Sequence, residues 1–90
     1  MVNKSYLKGY RLEKRVQKYL EGQGWWVKRS GKSSFPDLIC VSGGKVWVVE
    51  CKFNKPDKKA FQDLVGLKFR LGCDCSFATN VKGKISFINV

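Results

Sequence analysis

Apolar and charged positions alternate with a helical period over the first part of the chain. At about 100° per residue, the apolar side chains of residues 4–21 fall on one broad stripe and the cations fall on the opposite side. Ser5 as N-cap and the glycines at 22 and 24 as stop signals complete the prediction of an amphipathic helix. The predicted stripe contains Tyr6, Tyr10, Leu12, Val16, Tyr19 and Leu20, and the predicted basic face contains Lys4, Lys8, Arg11, Lys14, Arg15 and Lys18.

Short apolar runs bounded by turn residues predict strands in most of the remaining chain. The Gly43-Gly44 dipeptide tolerates the positive φ angles of a tight hairpin turn. Pro56 is suited to opening a second helix, which Gly72 closes, with Ala60, Phe61, Leu64, Val65 and Leu71 on its packed side. The predicted strands are residues 25–29, 37–42, 45–53, 75–79 and 84–89, and the second helix is residues 57–71. The order αβββαββ predicts an α/β fold, a small mixed β-sheet flanked by two helices, and ninety residues predict a single domain over 1–90.

The hairpin register places chemistry at its open end. With Gly43 and Gly44 as the loop, Asp37 lies opposite Glu50, and Lys52 shares the face of Glu50, about 6.6 Å along the strand. Two carboxylates at about 5 Å repel each other unless a cation lies between them, and Mg²⁺ is the cation that this geometry favours. The alternative is an edge aspartate and a surface Glu/Lys ion pair. Glu13, inside the apolar stripe of the first helix, either reaches a neighbouring lysine or points at the same metal.

The charge balance indicates an anionic partner. Lys and Arg number 18 against 7 Asp and Glu, a net charge of +11, which makes nucleic acid the expected partner ahead of a membrane surface. The first residues lack the apolar core of a signal peptide, and no apolar run approaches a membrane span, so we expect a cytoplasmic protein with no membrane association.

The four cysteines are expected to be reduced. Cys40 and Cys51 lie too far apart in the hairpin register for a disulfide, and the absence of His argues against structural zinc. A link from Cys51 to Cys73 or Cys75 across neighbouring strands stays open.

Aromatic residues divide between core and surface. Trp25 and Trp26 are expected in the core, whereas Phe69 lies off the packed stripe of its helix and suggests a second buried surface. A small core also favours a homodimer, and the candidate contacts are Phe69, Phe87 and Ile88.

The motif Pro36-Asp37, followed by Glu50-Cys51-Lys52, resembles that of the PD-(D/E)xK nucleases. Together with Lys8-Gly9-Tyr10, Glu13 and Arg29-Ser30, it resembles the archaeal-type Holliday junction resolvases over residues 4–62. The resemblance implies a restriction-endonuclease-like core and a homodimer that cuts four-way DNA junctions with Mg²⁺, for which Mn²⁺ would substitute. It implies the catalytic set Glu13, Ser30, Asp37, Glu50 and Lys52, with Asp37, Glu50, Glu13 and the Cys51 carbonyl on the metal.

Some assignments within this resemblance stay open. Ser33 and Ser34 are alternatives to Ser30, and Gln62 either acts near the site or is a plain surface residue. The candidate DNA contacts are Lys4, Lys8, Arg11, Arg15, Arg29, Lys32, Lys55 and Gln62. The alternative functions are another PD-(D/E)xK nuclease, either restriction-like or acting on flaps, forks or duplex ends in replication and repair, and a DNA-binding module without catalysis.

Overall fold

The computed structural model describes residues 4–30 and 35–90, with side chains from Leu7 onward in the first helix. Its elements follow the predicted order, with two helices and five strands. They are α1 (Lys4–Gly22), β1 (Trp26–Arg29), β2 (Leu38–Ser42), β3 (Lys45–Lys52), α2 (Lys58–Leu71), β4 (Asp74–Val81) and β5 (Lys84–Asn89). The predicted boundaries are met within two residues, and the last hairpin turn is shorter than predicted.

The strands form one mixed sheet in the order β1-β2-β3-β4-β5. Neighbours are antiparallel except β3 and β4, which are parallel and connected through α2. Within the β2–β3 hairpin Leu38 pairs with Val49 and Ser42 pairs with Lys45, as the register prediction requires. The carboxyl ends of β3 and β4 therefore lie at the same edge of the sheet as the start of β2.

Helix α1 packs on one face of the sheet through a narrow stripe. Leu12, Val16 and Leu20 are fully buried and contact Leu38 and Val49. Tyr10 and Tyr19 are exposed, so the predicted broad stripe was wrong at these positions. Three residues at the spacing i, i+4, i+8 are enough to cover this sheet face.

Helix α2 packs on the opposite face, over β3 and β4. Leu64 is fully buried among Val48, Cys75 and Phe77. Asp57, rather than Pro56, begins the helix: its Oδ1 accepts a hydrogen bond from the Ala60 N–H at 2.8 Å, as an N-cap residue does. Leu71 is 53% exposed, contrary to its predicted place on the packed side.

The packing of the apolar side chains differs from the expected positions of Trp26, Phe87 and Ile88. Trp25 packs against Trp47 at 5.4 Å between ring centroids, but Trp26 is 61% exposed and does not belong to the core. Phe87 contacts Trp47 on the α1 side of the sheet, and Ile88 packs on the α2 side. Because these two side chains are half-buried in the protomer's own clusters, on opposite faces, they do not form one exposed surface with Phe69.

The cysteines are free, as predicted. Cys51 lies in the cluster under α1 and Cys75 in the cluster under α2, so the sheet separates them and the link left open from the sequence is not made. Within the described part of the chain, neither helix has the length and hydrophobicity to cross a bilayer.

Candidate active site

Two carboxylates meet at the open end of the β2–β3 hairpin. The Asp37 N–H donates to Oε1 of Glu50 at 3.0 Å, and the Cys51 N–H donates to Oδ2 of Asp37 at 2.8 Å. These reciprocal bonds confirm that Asp37 lies opposite Glu50, one residue before β2 begins. Each carboxylate uses one oxygen to hold the other strand's backbone, which leaves Oδ1 of Asp37 and Oε2 of Glu50 to act on a ligand.

The pair is electrostatically unfavourable without a cation. Glu50 is 8% exposed, and its burial together with the neighbouring charge of Asp37 raises the pKa of its carboxyl group well above the ordinary value. Lys52 opposes this effect only in part, because its Nζ lies 3.9 Å from Oε2 of Glu50 and its side chain is 45% exposed. The two carboxylates are therefore suited to a divalent cation, whose charge would stabilise both as anions.

Glu13 reaches the same site from α1, through Arg29. The guanidinium Nη2 of Arg29 lies 3.7 Å from Oε1 of Glu13, and the guanidinium carbon lies 5.1 Å from the centroid of the Tyr10 ring. The pKa of Glu13 is raised by burial and by the charge of Asp37, against the opposing effect of Arg29. Of the two alternatives for Glu13, the ion pair is formed with the arginine on β1 rather than with a lysine, and the metal alternative stays a prediction.

Arg29 has one donor with no protein partner. Its Nε is buried and makes no hydrogen bond among the described residues. A buried guanidinium N–H without an acceptor is unfavourable, and a phosphate oxygen is a matching acceptor. Arg29, expected from the sequence as a DNA contact, is therefore placed beside the acidic cluster.

Ser30 is tied to the acidic strand by its backbone. Its N–H donates to the carbonyl oxygen of Asp37 at 2.8 Å, and the residue is half-buried. The alternatives Ser33 and Ser34, and the predicted DNA contact Lys32, lie outside the described residues. The choice of catalytic serine therefore stays a prediction.

Among the other predicted DNA contacts, Lys8 and Lys55 lie near the end of β3, whereas Arg11 and Gln62 are exposed elsewhere on the helices. Lys8 lies over the Phe53 ring at 5.2 Å, and Lys55 lines a concave pocket of about 270 Å³ together with Lys52. Arg11 and Gln62 are exposed, and the side chain of Lys4 lies outside the described side chains.

Arg15, another predicted DNA contact, is exposed and also makes contacts within the protein. Its Nη1 donates to Oδ1 of Asn80 at 3.0 Å, and its Nη2 donates to the carbonyl oxygen of Gly83 at 2.8 Å. Both terminal nitrogens hold the β4–β5 hairpin, so the side chain is engaged within the protein. Sequence spacing offered no signal for this contact, which joins residues 65 and 68 positions apart.

A metal ligand set of three or more acidic, His or Cys side chains is not formed among the described residues. The donors that fit a divalent ion are the two carboxylates of Asp37 and Glu50. Glu13 is paired with Arg29 and stays a predicted ligand, as does the carbonyl oxygen of Cys51.

Comparison with known proteins decides the family. The family model described as archaeal Holliday junction resolvase (hjc) matches residues 4–86. The chain belongs to the archaeal Holliday junction resolvase family. A curated relative, the crossover junction endodeoxyribonuclease Hjc of Methanocaldococcus jannaschii, is 30% identical over 89 residues, covering 93% of this chain and 67% of the relative.

A solved structure supports the fold of this resolvase. The Holliday junction resolvase Hjc of Archaeoglobus fulgidus superimposes with a TM-score of 0.75 at 20% identity, covering 91% of this chain and 72% of the other. The predicted restriction-endonuclease-like core is thereby confirmed. The resolvase is an endodeoxyribonuclease of the crossover-junction class, and membership of this nuclease family implies dependence on a divalent metal ion.

Proposed function

We propose that this resolvase hydrolyses phosphodiester bonds at four-way DNA junctions, with Mg²⁺ held by Asp37 and Glu50. The observation that carries the proposal is the pair formed by buried Glu50 and half-buried Asp37, in which backbone hydrogen bonds from the paired strand hold one oxygen of each carboxylate. Mg²⁺ is a hard cation that commonly binds one or two carboxylates together with water and phosphate oxygens, and Mn²⁺ has similar ligand preferences. When bound, such an ion polarises the scissile phosphate and neutralises charge that develops on it.

The remaining side chains have complementary roles in this proposal. Lys52 is half-exposed beside Glu50, so its ammonium can donate a hydrogen bond to a phosphate oxygen or to the attacking water. Arg29 holds Glu13, and the exposed part of its side chain can donate to phosphate. Ser30 is placed by its backbone bond to approach the same phosphate.

The basic surface around the site supports DNA as the partner. Lys8 lies over the ring of Phe53, the residue that follows Lys52. Lys55 lines the same pocket as Lys52. Contacts from such cations to phosphates release counterions and supply affinity without regard to sequence. Recognition then depends on the shape of the DNA, as a four-way junction requires.

A homodimer is part of the proposal, since symmetric resolution needs two active sites related by a two-fold axis. The surface that supports it is the part of the sheet that α2 leaves uncovered. Trp26 pairs with Val41, and Val41 pairs with Val46, so the three side chains form a row across β1, β2 and β3. Trp26 and Val46 are exposed, and Val46 lines a pocket of about 560 Å³ together with Phe69, which is 83% exposed. Trp26, Val41, Val46 and Phe69 together form the proposed dimer surface.

The experiment compares cleavage of a four-way junction with cleavage of linear duplex, flap and fork substrates, in Mg²⁺ and in a chelator. The junction should be cut in preference to the others and only with metal. Glu50→Gln should lose cleavage while keeping its shape and one acceptor oxygen. Asp63→Asn is the matched control, because Asp63 is an exposed α2 carboxylate paired with Lys59 at 4.0 Å. Cleavage by Glu50→Gln at the wild-type rate would refute the assignment of the site.

A further inference from the structure

The β4–β5 turn lies at the same edge of the sheet as the acidic site. Lys52 pairs with Thr79 across the parallel β3–β4 ladder, and Val81 pairs with Lys84 to close the turn around Lys82 and Gly83. Lys82 is three residues beyond Thr79, which is about 10 Å along the strand at roughly 3.3 Å per residue. With the lateral strand spacing, Lys82 lies roughly 11 Å from Lys52, which is about three times the 3.4 Å axial rise per nucleotide of B-DNA.

The residue at the tip of this turn departs from the local preference. Lys82 has φ 51° and Gly83 has φ 79°, and positive φ at both positions is the mark of a type I′ turn. Such turns favour Asn, Asp or Gly at the first position, because other side chains adopt positive φ at a conformational penalty. Lys82 is the one residue other than glycine with positive φ in the described part of the chain. Turn stability alone therefore does not account for an exposed lysine here.

The turn is held against α1 and joined to the active edge. Arg15 donates to the side chain of Asn80 and to the carbonyl of Gly83, on either side of Lys82. The Asn80 N–H donates to the carbonyl of Phe53 at 3.3 Å, and the Phe53 ring carries Lys8 above it at 5.2 Å. Lys52, Lys8 and Lys82 thus lie at the same end of the sheet, and Arg15 holds the turn that carries Lys82.

We propose that the β4–β5 turn is a second phosphate-binding element, in which Lys82 contacts the backbone of the DNA arm that leaves the active site. Arg15 is a positioning residue: it does not touch DNA, and it holds the turn so that Lys82 meets the phosphate. This inference rests on the proposed cleavage of DNA junctions, and it extends the DNA-binding surface to residues that the sequence motif does not include.

The test measures junction affinity against salt concentration, without divalent metal, for wild type and Lys82→Gly. Glycine accepts positive φ, so the variant should fold at least as well, and its melting temperature checks this. We expect roughly a fivefold to tenfold loss of affinity at 0.1 M salt, and a log–log slope smaller by about 0.9 for each phosphate contact removed. Lys18→Ala, which removes an exposed lysine in the C-terminal half of α1, should change neither quantity. An unchanged slope in Lys82→Gly would overturn the proposal.

The role of Arg15 is separated by a double-mutant cycle. Arg15→Met keeps a long side chain but removes both hydrogen bonds, and we expect it to weaken binding when Lys82 is present and to have no further effect in Lys82→Gly. Equal losses in both backgrounds would show that Arg15 contacts DNA itself and would overturn the positioning role. If the wild type binds and cuts junctions and Lys82→Gly has the same affinity and salt dependence, this inference alone is refuted. A wild type that neither binds nor cuts them refutes the proposed function as well.

Discussion

Replacing Glu50 by Gln should stabilise the metal-free protein at alkaline pH while removing a ligand of the proposed metal site. Glutamine can still accept the Asp37 N–H but carries no charge beside Asp37. The pKa of Glu50 is raised by burial, and then by Asp37, from an ordinary 4.5 to about 8. At pH below 4.5 the carboxyl group is protonated in both folded and unfolded chains, so its ionisation does not change the free energy of unfolding. As the pH rises from 4.5 to about 8, Glu50 ionises first in the unfolded chain, so the free energy of unfolding falls over this range.

Linkage sets an upper bound of roughly 5 kcal/mol for this loss, and relaxation of the folded protein around the charge makes the measured loss smaller. We expect Glu50→Gln to unfold about 5–10 °C above wild type at pH 9, which corresponds to about 1–2 kcal/mol for a domain of this size. At pH 4 the two proteins should unfold within about 2 °C of each other. Thermal unfolding in a chelator measures both, with Asp63→Asn as the control that shifts at neither pH. Adding Mg²⁺ should stabilise the wild type and leave Glu50→Gln unchanged. A wild type as stable as Glu50→Gln at pH 9 would refute the inferred repulsion.

The other predictions concern catalysis, assembly and helix capping. Asp37→Ala, Lys52→Ala and Glu13→Ala should each abolish junction cleavage. Junction affinity, measured by gel shift, should change at most a few-fold, because phosphate contacts from Lys and Arg supply the binding. Cleavage at the wild-type rate by any of these variants would contradict the role assigned to that residue. Phe69→Ser should convert a dimer near 20 kDa into a 10.3 kDa monomer in sedimentation at micromolar concentration. Phe35 is an exposed aromatic residue near the acidic site, and Phe35→Ser should leave the dimer intact. A wild-type monomer that resolves junctions would refute the dimer. Asp57→Ala should lower the free energy of unfolding by about 1 kcal/mol through loss of the α2 N-cap, as chemical denaturation would show, and an unchanged midpoint would contradict the capping role.

The hairpin that carries the site could be predicted from the sequence because its determinants are local. Gly43 and Gly44 define a two-residue turn, and the alternation of side chains then pairs Leu38 with Val49 and leaves Asp37 opposite Glu50. No long-range information is needed for this register. The same reasoning placed Lys52 on the face of Glu50, and the 3.9 Å ion pair confirms it.

The errors concern contacts between elements that are distant in the chain. Periodicity places Trp26 on a sheet face, but the extent of that face covered by α2 depends on how the helix crosses the sheet, and the helix leaves Trp26 exposed. The cationic face of α1 contains Arg15, yet only the folded structure brings Asn80 and Gly83 to it. The partner of Glu13 was missed for the same reason, since Arg29 arrives from β1.

The acidic site has a rigid frame and an unbalanced charge, and these two properties belong together. Main-chain hydrogen bonds from Asp37 and Cys51 hold the carboxylates in place although their charges repel. If the two groups moved freely, they would separate and lose the geometry that a cation needs. Because the backbone of two paired strands restrains them, the repulsion is relieved by protonation of Glu50 or by a bound cation rather than by rearrangement. The free energy released by neutralising the pair is then available for metal binding, which links the instability of the metal-free site to its capacity to bind metal.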